Sequence, residues 1–291
     1  MSASDVVVVG VDGSVESLEA VAWAAREASR RQARLRVINA WHPHVYPSSP
    51  LLIAPIPEVI FEPEQTAHEH VMQACGVARE VIPDLDVEVR TPAGPSALTL
   101  LENSVDAQLL VIGATQRSTV DRAVFGSVTT HAVTHAHCPV VSVHGRSPFA
   151  ERSSQPLVVL GFDYSTQARS AASFAFEYAQ GNGLDVAVVE AVSLIPGTSW
   201  DAGDEVLAFH RKCLQEATAT FAAQYPMVTT SVSTALGQPA SVLIEHARNA
   251  DLLVVGSRGR GWFQGMLLGS VSAALAHHTS VTLAVVHDSG L

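Results

Sequence analysis

Three glycines and a serine in the second half of the chain have a spacing that suits phosphate binding. Gly256 directly follows the apolar run at residues 251–255, and Gly259 comes three positions later. Gly269 and Ser270 begin ten positions after Gly259. The order is a buried strand, a glycine-bearing loop and the start of a helix. Such a loop leaves backbone N–H groups free to face an anion, and the helix dipole adds to the attraction. We expect a phosphate site here, in which Ser270 caps the helix and contacts a phosphate oxygen.

The first half carries an altered copy of this motif. Gly113, Gly126 and Ser127 keep the pattern, but Gln116 stands where the second half has Gly259. If this backbone position needs a positive φ, glutamine is strained there by roughly 1 kcal/mol or more. If it needs only close approach, the side chain crowds the phosphates. We therefore predict a weak or empty first site and one tight site per chain.

An aspartate follows the first strand of each half. Asp12 and Asp163 occupy equivalent turns, and each is followed two residues later by a serine. Such a carboxylate can accept hydrogen bonds from a base or a ribose, or it can cap the following helix, and the turn alone favours neither role. Tyr164 replaces Gly13, which puts an aromatic ring near the second pocket, either stacked on a ligand or covering the pocket edge.

Arginines flank both glycine loops. Arg258 and Arg260 in the second half could neutralise phosphate charge, or they could be ordinary solvated loop arginines. In the first half, Arg117 and Arg122 could compensate for the altered motif through their charge.

The chain contains two copies of one unit. Residues 6–12 read VVVVGVD and residues 157–163 read LVVLGFD. Residues 108–113 read QLLVIG and residues 251–256 read DLLVVG. We therefore predict a duplication.

The copies predict two domains. The first covers residues 1–146 and carries the altered motif, and the second covers residues 155–291 and carries the intact one. Segment 145–156 is rich in glycine, serine and proline, which indicates a linker. The proline-rich stretch 43–63 is expected to form a loop that absorbs the eight-residue difference in spacing between the two copies.

Continuous apolar runs alternate with stretches of helical periodicity in both halves. Continuous runs are typical of parallel strands buried on both faces, so each half is expected to be a doubly wound, Rossmann-like α/β fold. The expected strands lie near 5–11, 34–40, 86–91, 107–113 and 139–144, and near 157–162, 184–192, 228–235, 251–256 and 281–286.

Composition argues against several classes of protein. The net charge of -11 leaves no basic stripe for nucleic acid or an anionic membrane, and Lys212 is the single lysine, so a Walker-type lysine is absent. Cys75, Cys138 and Cys213 are far apart and odd in number, which suggests reduced thiols in a cytoplasmic protein. Because no apolar stretch reaches about 18 residues, no membrane span is expected.

Other site chemistries lack their signatures. His131 and His135 share a helix face, but spacing places no third ligand, so we predict no metal site and expect these histidines to complement a helix C-terminus. A hydrolase would show G-x-S-x-G after a strand, and a dehydrogenase would show G-x-G-x-x-G after the first strand. Neither motif is present.

Together these motifs resemble the universal stress protein family in its tandem form. The phosphate motif G-x-x-G, nine residues, G-[ST] is complete in the second half, and the VGVDGS turn and the segment 135–140 (HAHCPV) are also similar to that family. The resemblance covers nearly the whole chain, twice. It implies a five-stranded parallel sheet of order 3-2-1-4-5 in each half, with ATP between the first and fourth strands.

The resemblance also implies roles for particular residues. In the second half, Asp163 would hold the adenine, Ala191 or Val192 would line the base pocket, and the glycine loop would cradle the phosphates; whether Mg²⁺ accompanies the ATP stays open. The expected contacts in the second half are Gly161, Phe162, Asp163, Ser165, Ala191, Val192, Gly256, Ser257, Arg258, Gly259, Gly269, Ser270 and Val271. Those in the first half are Gly10, Val11, Asp12, Ser14, Ala40, Gly113, Gly126 and Ser127.

The leading hypothesis is a cytoplasmic, ATP-binding regulatory protein of the stress response with an unidentified protein partner. Nothing in the loop supplies an obvious base, so we expect no enzyme activity beyond slow ATP hydrolysis. The alternative is an interaction scaffold with vestigial sites, whose fifth-strand edges pair the halves and join chains; a monomer and a homodimer both fit. A third hypothesis, an ATP-using enzyme, rests on an uncharacterised pocket near Trp200, Trp262 and Phe263.

Overall fold

The structure is a computed structural model. It describes residues 5–42, 62–114, 126–145, 156–192, 202–260 and 267–287. Most of the predicted linker and of the proline-rich loop lies outside these ranges.

Strands and helices alternate along both halves. The elements of the first half are β1 (Val6–Gly10), α1 (Val15–Arg30), β2 (Arg34–Ile38), α2 (Pro63–Val81), β3 (Val87–Arg90), α3 (Ser96–Ser104), β4 (Leu109–Gly113), α4 (Ser127–His135) and β5 (Val140–Val143). Those of the second half are β6 (Leu157–Gly161), α5 (Thr166–Asn182), β7 (Asp185–Val192), α6 (Ala202–Gln224), β8 (Thr230–Leu236), α7 (Pro239–Ala247), β9 (Leu252–Gly256), α8 (Ser270–His278) and β10 (Leu283–Val286).

All ten strands form one sheet of order β3-β2-β1-β4-β5-β10-β9-β6-β7-β8. Within each half the strands are parallel and follow the order 3-2-1-4-5, which confirms the predicted fold class.

The two halves meet where β5 and β10 pair in antiparallel fashion, with Leu283 opposite Ser142 and Val285 opposite Val140. Every residue of these two short strands is buried. An unpaired apolar edge of this kind invites uncontrolled association, and pairing removes both edges at once. The fifth strands are thus used within one chain, and the outer edges of the sheet are β3 and β8.

Helices cover both faces of the sheet. Helices α1, α2, α5 and α6 pack on one face, and α3, α4, α7 and α8 pack on the other. Alanines make up most of the buried stripe of α1 and α5, and these small side chains let the helices lie close to the strands. The two central helices also meet across the junction, where Trp23 stacks on Tyr178 with ring centroids 5.8 Å apart.

No helix in the described ranges is long and apolar enough to cross a membrane.

Candidate nucleotide site

A cleft opens in each half at the carboxyl end of the first and fourth strands, which is where open α/β sheets bind ligands. The second-half cleft has a volume of about 730 Å³, and the first-half cleft about 560 Å³. Each lies between the turn after the first strand, the loop after the fourth strand and the N-terminus of the helix that follows that loop.

Glycines bring the loop of the second half close to its neighbours. A Cβ on Gly256 would approach the backbone of Gln167 in α5 to 2.8 Å, and a Cβ on Gly259 would overlap Oδ2 of Asp163. In the first half, a Cβ on Gly113 would likewise come too close to the backbone of Glu16 in α1. These positions therefore admit only glycine without movement of the backbone or of Asp163.

The last helix of each half presents its N-terminus to the cleft. The N-cap of α8 is Gly269 and that of α4 is Gly126, and neither has a side chain that could bind the first-turn N–H groups. Ser270 and Ser127 are the first helical residues, so the prediction that Ser270 caps the helix is wrong. Helix starts with N–H groups that no side chain caps are natural binding points for anions.

A serine secures the second glycine loop from behind. The hydroxyl of Ser272 donates to the carbonyl oxygens of Ser257 (2.9 Å) and Gly269 (3.0 Å). The backbone N–H of Gly269 also donates to the carbonyl of Ser257 over 2.8 Å. The loop and the helix start are thus held as one unit.

Asp163 organises the turn after β6. Its Oδ1 accepts hydrogen bonds from the backbone N–H and the hydroxyl of Ser165 at 3.0 and 2.6 Å. Its Oδ2 accepts the backbone N–H of Arg260 at 3.0 Å, which ties the glycine loop to this turn. The residue that caps α5 is Ser165, whose hydroxyl accepts the N–H of Ala168. Asp163 therefore does not cap α5 itself but orients Ser165, the serine that caps it.

The turn after β1 is built in the same way. Oδ1 of Asp12 accepts the N–H and the hydroxyl of Ser14, and Ser14 caps α1. Burial raises the pKa of Asp12, but the hydrogen bonds from Ser14 and Ser17 outweigh burial and leave this pKa below its usual value. Asp12 is therefore an anion at neutral pH.

A polar cluster that sequence analysis missed stands at the rim of the second cleft. Glu190 near the end of β7 is buried, and its two carboxylate oxygens accept the Tyr164 hydroxyl and face Nδ1 of His210, each at 2.9 Å. The guanidinium of Arg260 lies 4.5 Å from the ring centroid of Tyr164 and 3.9 Å from Glu190. A glutamate inside the apolar run of β7 was the available signal, because a buried carboxylate requires partners.

The first half replaces this cluster with smaller groups. Gly13 takes the place of Tyr164, and Asn39 takes the place of Glu190. The ring of His70 from α2 lies against Gly13, and its Nδ1 is 2.9 Å from Nδ2 of Asn39.

Most of the predicted contact residues line the clefts. In the second half, Ser165, Val192 and Ser257 do not line the cleft, and Ser257 is buried behind the loop. The predicted residues that do line it are Gly161, Phe162, Asp163, Ala191, Gly256, Arg258, Gly259, Gly269, Ser270 and Val271. All eight predicted first-half residues line the first cleft, namely Gly10, Val11, Asp12, Ser14, Ala40, Gly113, Gly126 and Ser127. Six residues named as candidates from the sequence lie outside the described ranges, namely Gln116, Arg117, Arg122, Trp200, Trp262 and Phe263.

The remaining histidines and cysteines form no metal-binding cluster in the part of the chain that the structure describes. His131 and His135 are exposed, with ring centroids 5.6 Å apart, and no group of three or more potential metal ligands occurs there. Burial raises the pKa of the Cys138 thiol to about 12, so this cysteine is a protonated core residue.

Comparisons with known proteins agree with this architecture. The model of the universal stress protein family matches residues 4–144 and again residues 157–287. A universal stress protein of Mycolicibacterium smegmatis is 36% identical over 290 residues, covering 96% of each chain. The crystal structure of a universal stress protein from Archaeoglobus fulgidus covers 98% of both chains with a TM-score of 0.70 and 17% identity.

A solved universal stress protein in complex with cAMP matches 49% of this chain and 98% of its own, with 30% identity and a TM-score of 0.36. The family match spans both halves, and the relative from M. smegmatis extends over nearly the full length. The chain therefore belongs to the universal stress protein family and contains the family's unit twice.

Proposed function

We propose that the second cleft binds ATP and that the bound nucleotide regulates this protein in a stress response. One observation carries the proposal. The glycine loop at residues 256–259 and the N-terminus of α8, which has no side-chain cap, face a single cleft of about 730 Å³. Backbone N–H groups at a helix start and a glycine loop are the usual means of holding phosphates without a lysine.

The walls of this cleft suit the two ends of a nucleotide. Ala191, Leu243 and Val271 give it an apolar side that can receive a purine ring. Arg258 and the N-terminus of α8 also line the cleft, and there a triphosphate would be neutralised. Asp163 lines the same cleft, with hydrogen bonds from the protein on both carboxylate oxygens.

The first cleft is proposed to bind nucleotide weakly or not at all. It is smaller, at about 560 Å³, although the start of α4 likewise has no side-chain cap. The sequence difference that supports this asymmetry is Gln116, which occupies the position of Gly259. Weak binding there would leave one regulatory site per chain.

We propose binding rather than turnover as the role of ATP. Among the described residues of the second cleft, Asp163 is the single carboxylate, and both of its oxygens already accept hydrogen bonds. A general base must lie within hydrogen-bond reach of the attacking water, whereas three hydrogen bonds hold the Asp163 carboxylate to Ser165 and to the backbone of Arg260. Slow hydrolysis is compatible with this arrangement, whereas fast phosphate release that Asp163→Asn abolishes would overturn the proposal of a non-enzymatic role.

Calorimetric titration with ATP tests the binding proposal. The wild type should bind one ATP per chain, and denaturing freshly purified protein should release adenine nucleotide. Gly259→Asp should abolish binding, because its side chain would overlap Asp163 and place a second carboxylate beside the phosphates. Gly76→Asp adds the same charge at an exposed position of α2 where a Cβ meets nothing within 4 Å, so it should bind like the wild type.

The outcome that contradicts the proposal is a wild type that neither carries nucleotide nor binds ATP at millimolar concentration. The scaffold hypothesis would then be favoured. A cytoplasmic location and a homodimer assembled through other surfaces remain part of the proposal, to be tested by fractionation and by sedimentation.

A further inference from the structure

We propose that four residues at the rim of the second cleft form a clamp that positions the glycine loop for nucleotide. The clamp consists of Tyr164, Glu190, His210 and Arg260. This inference rests on the proposed function, because it assigns the clamp a share of the nucleotide affinity at that same cleft. In this proposal the four residues position the glycine loop and do not themselves contact the phosphates.

Glu190 is the anchor of the clamp. The residue is 4% exposed, and its two oxygens lie 2.9 Å from the Tyr164 hydroxyl and 2.9 Å from Nδ1 of His210. A carboxylate that has left water must be matched by nearby donors and charges, so it holds its partners firmly. Its partners come from the turn after β6, from α6 and from the loop after β9, and the clamp therefore joins these three parts of the chain to β7.

Tyr164 adopts a backbone conformation that needs such support. Its φ is 67°, in the left-handed region that residues with a Cβ rarely enter. Such a conformation persists where the surroundings fix it, and these places are often functional. Burial, followed by the hydrogen bond to Glu190, raises the pKa of Tyr164, so its hydroxyl stays protonated and donates.

Arg260 transfers this order to the glycine loop. Its guanidinium lies over the Tyr164 ring at 4.5 Å and also donates to the backbone carbonyl of Asp163. Its backbone N–H donates to Oδ2 of Asp163 at 3.0 Å. Residue 260 is thus fixed through both its side chain and its main chain, and Gly259 is the adjacent residue.

The clamp leaves the cleft open. With all these contacts in place, the cleft still has a volume of about 730 Å³, so the clamp orders the loop without filling the space for a ligand. A loop that is ordered before the ligand arrives avoids an entropic cost on binding. The clamp should therefore strengthen binding rather than oppose it.

The first half has no equivalent clamp among its described residues. The turn position of Tyr164 is Gly13, with a φ of 81°, and the position of Glu190 is Asn39, which contacts His70. The clamp is therefore a second reason, independent of Gln116, for unequal affinity of the two clefts.

The experiment compares ATP affinity and dissociation rate among variants of the full chain. Tyr164→Phe removes one hydroxyl, and Arg260→Ala removes the guanidinium. Each should weaken ATP binding about tenfold, mainly through faster dissociation. The double variant should be little weaker than either single one, because both changes disable the same unit.

Two further variants separate positioning from general stability. Tyr225→Phe alters a tyrosine that packs on Phe176 outside both clefts, and it should leave the dissociation constant within twofold of the wild type. Tyr164→Gly recreates the first-half residue, relieves the left-handed strain and deletes the clamp. It should weaken ATP binding by at least as much as Tyr164→Phe while the unfolding temperature does not fall in proportion.

The outcomes distinguish the clamp from the proposed function. If the wild type fails to bind ATP, the proposed function fails and the clamp with it. If the wild type binds and the clamp variants match it in affinity and dissociation rate, the clamp is wrong and nucleotide binding stands. Tighter binding by Tyr164→Phe or Arg260→Ala would show that the cluster opposes the ligand, and it would also overturn the inference.

Discussion

The turn after the first strand differs between the halves in its side chains but not in its backbone. Gly13 and Tyr164 both have a positive φ, 81° and 67°, although only one of them is a glycine. In each half an aspartate orients a serine, and the serine caps the next helix. The duplicated backbone has thus been kept even where the residue type makes it costly, and the cost is met by the surroundings of Tyr164.

The helix starts at the clefts show a second difference. Both α4 and α8 begin after a glycine, so both retain first-turn N–H groups that no side chain caps. A Cβ on Gly269 would meet Arg258 and Ser257 at 3.3 Å, whereas a Cβ on Gly126 would meet no described atom within 4 Å. In the second half the loop is packed against the helix start. We expect this packing to hold the N–H groups of the second half in place for an anion.

Replacing either of these two glycines by aspartate gives the largest expected difference in ATP affinity between the two clefts. Gly269→Asp should weaken ATP binding about 1,000-fold, because a carboxylate next to phosphates costs several kcal/mol. The equivalent change Gly126→Asp should alter the dissociation constant less than about twofold, since the first cleft is proposed to contribute little. Calorimetry measures both affinity and stoichiometry.

Two equal sites per wild-type chain would contradict this asymmetry. So would a loss of affinity in Gly126→Asp comparable to that in Gly269→Asp. Circular dichroism of both variants controls for unfolding, and among the described residues a Cβ on Gly126 has more space than one on Gly269.

Two histidines near the junction of the halves, His144 and His287, predict a smaller effect on the free energy of unfolding. His144, just after β5, is 4% exposed, and burial lowers its pKa to about 4 from an ordinary value of 6.5, although its Nδ1 lies 3.3 Å from the carbonyl of Ser142. Between these two values the unfolded chain binds more protons than the folded one. The stability that the folded protein has with His144 neutral is therefore fully present above pH 6.5, and it is lost as the pH falls towards 4.

Urea unfolding at pH 7 and pH 5 measures this loss. His144 should account for about 2 kcal/mol of the decrease in the free energy of unfolding between these pH values, and His144→Asn should remove that part of the slope. Its second-half equivalent His287 is partly buried and also has a lowered pKa, and carbonyl hydrogen bonds partly offset that lowering, so His287→Asn should flatten the slope less. A slope that neither variant changes would contradict this assignment.

The sequence predicted the fold better than it predicted the contacts of the site. Apolar runs located the central strands, because a strand buried on both faces needs a continuous run. The edge strands β3 and β8 mix apolar and polar residues and are only partly buried, so this signal is weaker there. The glycine spacing likewise placed residues 256–259 and the start of α8 at one cleft. The partners of Glu190 could not be predicted in this way, since His210 lies on α6 and reaches Glu190 only through the packing of that helix. The helix cap at Ser270 was misplaced by one residue, because Gly269 also satisfies the local pattern.

A double-variant cycle at the first-half turn gives the smallest expected effect. Gly13→Ala places a Cβ at a φ of 81° and against the ring of His70, so it should cost about 2 kcal/mol, of which about 1 kcal/mol is backbone strain. In the background His70→Ala the steric part disappears, and Gly13→Ala should then cost about 1 kcal/mol. Equal costs in both backgrounds would show that strain alone makes glycine necessary there. At the equivalent turn the Tyr164 side chain packs against Arg260 and donates to Glu190. A positive coupling at Gly13 would therefore show that the ring of His70 occupies the space that a side chain at the first-half turn needs.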